Sequence, residues 1–172
     1  MKSVERVRAA LIESGVGDVI IELPASQSAR TAQMAADALS RRLDLRVPVG
    51  AIVKSLVFLA DRRPILVLVA GDRRGDTHKL GLALGVSNVG IADAEAVRAA
   101  TGFSIGGVPP VGHANDLPVL IDQSLGRFET VYAAAGHPHA VFPIAYARLV
   151  EVTRGRVADI AHDEGEDLES RL

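Results

Sequence analysis

Two apolar runs with a short polar link between them constrain this chain more than anything else in it. They are residues 51–59 (AIVKSLVFL) and 65–70 (ILVLVA), connected through residues 61–64. So short a link predicts an antiparallel hairpin. Neither run alternates apolar with polar residues, so both strands are expected at the centre of a sheet and covered on two faces. The first run carries an anomaly, because Lys54 places an ammonium group among apolar side chains. The chain has three lysines against sixteen arginines, and Lys2 and Lys79 have the polar neighbours that Lys54 lacks. Three readings fit Lys54: a buried cation paired with a carboxylate, an edge-strand lysine, or a functional ammonium at a cleft. Strand alternation puts Lys54 on one face with Ile52, Leu56 and Phe58, and Ser55 on the other with Val53 and Val57. That argues against a Lys54–Ser55 nucleophile pair. An ammonium in apolar surroundings suits an anionic ligand or a carbonyl oxygen that gains charge.

The flanking sequence reads as alternating helices and strands. Val4, Val7, Leu11 and Ile12 form a helical stripe over residues 3–14, stopped by Gly15 and Gly17. Residues 18–23 (DVIIEL) read as a strand ended by Pro24. An alanine-rich helix starts at Thr31, with Met34, Ala35, Ala38 and Leu39 on its buried face, and breaks at residues 41–48. Residues 71–75 (GDRRG) read as a turn. Asp76 caps a helix through Leu84 with Gly85 as its stop, and a second short helix runs from Asp93 to Thr101, closed by Gly102. Residues 103–115 (FSIGGVPPVGHAN) are the longest stretch of turn formers. Strands are expected at residues 117–122, 130–135, 140–144 and 157–160, a helix at 145–153, and a solvated acidic tail from His162 onward.

At 172 residues, 48% apolar, the chain can bury the core of one domain spanning residues 1–172. A net charge of −2 excludes gripping nucleic acid through bulk positive charge, so such a partner needs a local site. The absence of cysteine removes disulfides and thiolate chemistry. The opening residues mix charge with apolar side chains and have no continuous apolar core, so a cytoplasmic, unanchored protein is expected.

Familiar catalytic signatures are missing: there is no phosphate-binding GxxxxGK, GxGxxG, HExxH or GxSxG. Three constellations remain. Gly106 and Gly107, followed by Pro109 and Pro110, combine close backbone approach and free amide donors with a stiff exit, or else form an ordinary connection. His113, His137 and His139 are turn histidines, hydrogen-bonding groups or, least expected of the three, metal ligands. The pairs Arg62–Arg63 and Arg73–Arg74 bound the second apolar strand at opposite ends and should not form one patch.

Taken together, IVKSLVF from Ile52, VLVAGDRR from Val67, DTHKL from Asp76, TGFSIGGVPPVGH from Thr101 and AAGHPHAVF from Ala134 resemble the YbaK-type aminoacyl-tRNA deacylases. These are free-standing relatives of the editing domain inserted in bacterial prolyl-tRNA synthetases. The resemblance covers residues 28–160, in order. It implies an α/β (α+β) fold: a mixed, mostly antiparallel, barrel-like sheet surrounded by helices. It also implies hydrolysis of the ester of a misacylated tRNA, expected to be alanine or cysteine on prolyl-tRNA. Lys54 matches the family's central lysine. Gly106 to Pro110 match its GxxxP loop, whose amides would hold the substrate carbonyl and terminal adenosine. His137 or His139 falls near a position where some members use a histidine, and Ser55 stands where some carry asparagine. Activation would come partly from the substrate's ribose hydroxyl, with no cofactor and no metal. The implied partners are the aminoacyl-tRNA acceptor end and an aminoacyl-tRNA synthetase, with no membrane. The competing classes are a non-catalytic module that binds tRNA ends or nucleotides and a histidine metal hydrolase.

Overall fold

The computed structural model describes residues 2–163. The predicted hairpin forms its centre: β2 (Ile52–Ala60) pairs antiparallel with β3 (Arg63–Ala70) over the full register from Val53↔Ala70 to Ala60↔Arg63. The connection is tighter than the sequence suggested. Asp61 (φ 46°) and Arg62 (φ 70°) both take the left-handed conformation, as a two-residue hairpin turn requires, and Pro64 already lies in the strand opposite Leu59. β3 is buried on both faces beyond Pro64, as expected of a central strand, whereas the middle of β2, including Lys54, is only half-buried.

The remaining strands extend the sheet on either side. Downstream of β3 lie β6 (Val119–Asp122) and β9 (Arg156–Ala158), each added in parallel. On the other side β2 meets β7 (Thr130–His137) in parallel, and β7 continues antiparallel to β8 (Ala140–Ala145), which pairs with the two-residue β1 (Ile21–Glu22). The sheet is mixed and mostly antiparallel, as the resemblance implied. No pairing joins β1 to β9 among the described residues, so its curvature is not closed by hydrogen bonds.

The strands differ from expectation in three further places. The strand at residues 18–23 shrinks to β1. β5 (Val89–Ile91), too short and glycine-split to show a period, pairs with β2 through Phe58–Ala60. The presumed turn at residues 71–75 contains β4 (Arg73–Gly75), which pairs with β10 (Ala161–Asp163). The acidic tail therefore does not begin at His162: that residue is 4% exposed and donates from Nδ1 to Asp76 Oδ2 at 3.2 Å. A strand partner and a buried carboxylate outweigh the local acidic composition. The rest of the predicted tail, residues 164–172, lies outside the described residues.

Helices cover the sheet. α1 (Lys2–Glu13) buries Val4, Val7 and Leu11 but leaves Ile12 exposed. α2 (Ala32–Leu43) is capped by Thr31, whose hydroxyl accepts from Met34 N at 3.2 Å, and runs past Arg41 to end at Asp44 in the left-handed conformation. Its buried face is Ala35, Ala36, Ala38 and Leu39, a phase that turns Met34 out to solvent, against expectation. α3 (Thr77–Leu84) and α4 (Ala94–Thr101) start on Asp76 and Asp93 and stop at Gly85 and Gly102, as their caps predicted. α5 (Tyr146–Thr153) packs Leu149 inward. No helix among the described residues is long and apolar enough to cross a membrane.

Strand alternation sorts the core. Val53 and Val57 join the cluster containing Leu66, Leu68 and Phe142, while Leu56 and Phe58 pack with Val67, Val69 and Leu80. Each fully buried aliphatic side chain contributes roughly 1.5–3 kcal/mol. Both clusters pack on the β2–β3 pair.

Candidate active site

β2 touches its neighbours on one side only at its ends. It meets β7 through Ile52 and Val53, and β5 through Phe58 to Ala60, with Ala92 N donating to Val57 O at 3.0 Å. Lys54, Ser55 and Leu56 lie in the gap, and the sheet splits there into a cavity of about 940 Å³. Because the cavity occupies a split rather than one face, Lys54 and Ser55 both line it although alternation points them apart. Its other walls include Gly106 and Ile105 of the long loop, Ala134 of β7, Asp72, Ile91 and Arg30.

Lys54 Nζ donates to the Arg73 carbonyl on β4, so its half-buried ammonium is tied to a neighbouring strand. Lys54 thus lines the cavity while held by the neighbouring strand, and it is not an edge-strand lysine, since β2 lies between β3 and β7. Ser55 Oγ is buried without a hydrogen-bond partner among the described residues, a condition that costs about 1–3 kcal/mol for a polar group. Asp72 accepts two bonds from Arg127, Nη2 to Oδ1 at 2.7 Å and Nη1 to Oδ2 at 3.0 Å. Hydrogen bonding to Arg127 holds the Asp72 carboxyl below the usual carboxylate range.

The loop at residues 103–115 has no regular secondary structure but is tightly held. Thr101, wholly buried, accepts from Phe103 N at 3.0 Å and donates to Val97 O at 2.8 Å. Arg98 donates to Ser104 Oγ at 2.7 Å, and His113 Nε2 donates to Pro109 O at 2.6 Å. Burial pushes the His113 imidazole below its ordinary pKa. Gly106, at φ 93°, faces the cavity, and its N–H has no protein acceptor among the described residues. Gly107 is placed differently: its N–H donates to Ser104 O at 3.1 Å, and it is buried against the backbone of Gly136 and His137. Pro110 is buried and does not line the cavity.

His137 and His139 also stand outside the cavity lining. Their rings lie 5.4 Å apart, His139 N donates to His137 Nδ1 at 3.1 Å, and His139 Nδ1 bonds Gln27 O. Together with Ala29 N donating to Pro138 O at 2.7 Å, these contacts hold the segment that carries Arg30 at the cavity edge. No three His, Cys, Asp or Glu side chains converge on a metal-sized site among the described residues, so the histidine-metal reading finds no ligand set there. Lys54 and Gly106, far apart in sequence, both line this cavity, whereas Gly107, Pro110, His137 and His139 do not. Arg30, Asp72, Ile91 and Ile105 were missed because they sit in turns or short strands with no periodic signal.

A family profile described as the aminoacyl-tRNA editing domain matches residues 26–152. A proline–tRNA ligase of Latilactobacillus sakei is 37% identical over 81 residues, which cover 47% of this chain and 14% of the ligase. The chain thus spans only a small part of that curated relative. A protein of Enterococcus faecalis named as a candidate Cys-tRNA(Pro)/Cys-tRNA(Cys) deacylase, EbsC, is 25% identical over 121 residues, 70% of this chain and 74% of that protein. A crystal structure described as a candidate trans-editing enzyme for prolyl tRNA synthetase superposes with a TM-score of 0.82 at 40% identity, covering 96% of this chain and 99% of its own.

Proposed function

The chain belongs to the aminoacyl-tRNA editing domain family, and on that premise we propose that it acts in trans on a small misacylated residue, alanine or cysteine on prolyl-tRNA. As an aminoacyl-tRNA deacylase it breaks the ester between amino acid and terminal ribose. The observation that carries the proposal is the split in the sheet, which puts Lys54 and the Gly106 amide, without an acceptor among the described residues, on one cavity of about 940 Å³. That volume suits an aminoacyl-adenosine end.

Water adds to the ester carbonyl, the carbonyl oxygen becomes an oxyanion, and collapse expels the ribose oxygen, which takes up a proton as the amino acid leaves. Gly106 N–H donates to the developing oxyanion and Lys54 lends positive charge beside it. One such preorganised donor is worth about 3 kcal/mol. The substrate's neighbouring ribose hydroxyl assists the water, so no protein nucleophile is needed. Gly107, buried behind Gly106, holds the loop in place. Ser55 lines the wall and contributes to selecting the amino acid, a discrimination of about 1–3 kcal/mol per methylene. With a net charge of −2, contact is confined to the acceptor end and strengthened by a synthetase partner.

A deacylation panel of mischarged tRNAs tests this reading. The expected result is hydrolysis of a small-residue prolyl-tRNA ester and a loss of about 10²–10³ in kcat in Lys54→Ala. Survival of every ester at high enzyme concentration overturns the function. A Lys54→Ala variant with wild-type rate overturns the lysine's role, and binding of a non-hydrolysable aminoacyl-adenosine without turnover of the ester favours the binding-module class.

A further inference from the structure

The cavity mouth carries a second cation that the chemistry above does not use. Arg30 lines the cavity edge, is exposed, and its guanidinium makes no hydrogen bond or ion pair among the described residues. The nearby carboxylate of the wall, Asp72, has both oxygens occupied by Arg127. Arg30 is not loosely hung. Its segment is fixed by Ala29 N to Pro138 O at 2.7 Å, by the His139 contact to Gln27 O, and by Arg30 N donating to Ser28 Oγ at 3.2 Å. Its stem lies along the glycine loop, with Cγ 3.4 Å from where a Cβ on Gly106 would stand. Two large apolar side chains on the cavity lining are turned to solvent, Ile91 at 69% and Ile105 at 61% exposed.

We propose that Arg30 grips the phosphodiester on the 5′ side of the substrate's terminal nucleotide, with Ile91 and Ile105 flanking its base. The inference rests on the deacylase reading, which puts the reacting ester between Lys54 and Gly106. From that ester the next anionic group on the substrate is the 5′-phosphate, one ribose away, and Arg30, a cation with no acceptor among the described residues, stands beside Gly106. A planar guanidinium forks onto phosphate oxygens, and apolar side chains cover the faces of a base. In a chain of net negative charge, such a local contact is how an acceptor end is held.

Two stable probes separate the phosphate from the rest of the nucleotide: 3′-alanylamido-3′-deoxyadenosine and its 5′-monophosphate, titrated calorimetrically. The wild type is expected to bind the monophosphate about tenfold tighter than the nucleoside. Arg30→Ala should bind both probes equally, at the wild-type nucleoside affinity, and Arg30→Lys should keep part of the preference. On mischarged tRNA, Arg30→Ala should raise KM with kcat unchanged and flatten the slope of log KM against log salt by about 0.7. Thermal melting verifies that the variants stay folded, as loss of an exposed side chain with no partner among the described residues should allow. A phosphate preference that survives in Arg30→Ala, or that is absent from a wild type which hydrolyses mischarged tRNA, overturns the inference alone. A wild type that binds neither probe and leaves every ester intact overturns the deacylase reading and the inference with it.

Discussion

Substituting Gly107 by alanine separates the two roles assigned to the paired glycines. A Cβ on Gly107 would lie 3.0 Å from His137 N and 3.1 Å from Gly136 C, a few tenths of an ångström inside ordinary contact. Strand β7 has little room to retreat, since a Cβ on Gly136 would itself stand 2.7 Å from Ser3 O of α1. Overpacking of this kind costs about 1–3 kcal/mol. In a chain of 172 residues that corresponds to a fall of about 2–12 °C in Tm. Gly106→Ala meets the Arg30 side chain, nearest at Cγ 3.4 Å away, but its φ of 93° is strained for any side chain, at about 1–2 kcal/mol. Gly90→Ala has nothing within 4 Å and serves as the control, expected within about 0.5 kcal/mol of wild type. Melting by circular dichroism ranks the three, and deacylation kinetics at a temperature where all are folded asks which alters kcat. The expectation is that Gly106→Ala lowers kcat more than Gly107→Ala. If Gly107→Ala melts within about 1 °C of Gly90→Ala, the loop is not braced against β7 and the reasoning fails.

Three further outcomes can be checked on the same protein. Asp76 caps α3 through His78 N and Lys79 N at 3.0 and 3.1 Å and also accepts from buried His162. Asp76→Ala should therefore lose about 2–4 kcal/mol in urea unfolding, and Asp76→Asn, which keeps an accepting oxygen, distinctly less. The folded state holds His113 below its ordinary value of 6.5 because burial disfavours the imidazolium. The unfolded chain then binds more protons as pH falls through 6.5, so stability present above that pH declines below it. The urea midpoint should show this decline, reduced in His113→Gln. Leu68, wholly buried in β3, should cost about 2–5 kcal/mol as Leu68→Ala, read from the same unfolding curves.

How much of this was legible beforehand follows from the range of the forces involved. The β2–β3 hairpin, the Asp76 and Asp93 caps and the glycine stops are set by neighbours along the chain, and each appears where its local chemistry placed it. β5 and β10 were not legible, because three-residue strands carry no period and exist through their partners, β2 and β4. His162 shows the same limit: acidic composition predicted solvent, and one buried carboxylate 86 residues away decided otherwise.

The site divides along the same line. Sequence alone determined that an ammonium would sit in the central strand and that a glycine pair would follow a capped helix, since both follow from residue type and spacing. Tertiary pairing decided the rest. Because β7 and β5 each hold only one end of β2, the sheet opens beside Lys54, and that gap admits Gly106 and Arg30 to one cavity. It also set the two glycines apart, since Gly107 packs against β7 and donates to Ser104 O whereas Gly106 lines the cavity. Where two strands fail to meet depends on the register of every strand around them, and no stretch of sequence carries that information locally.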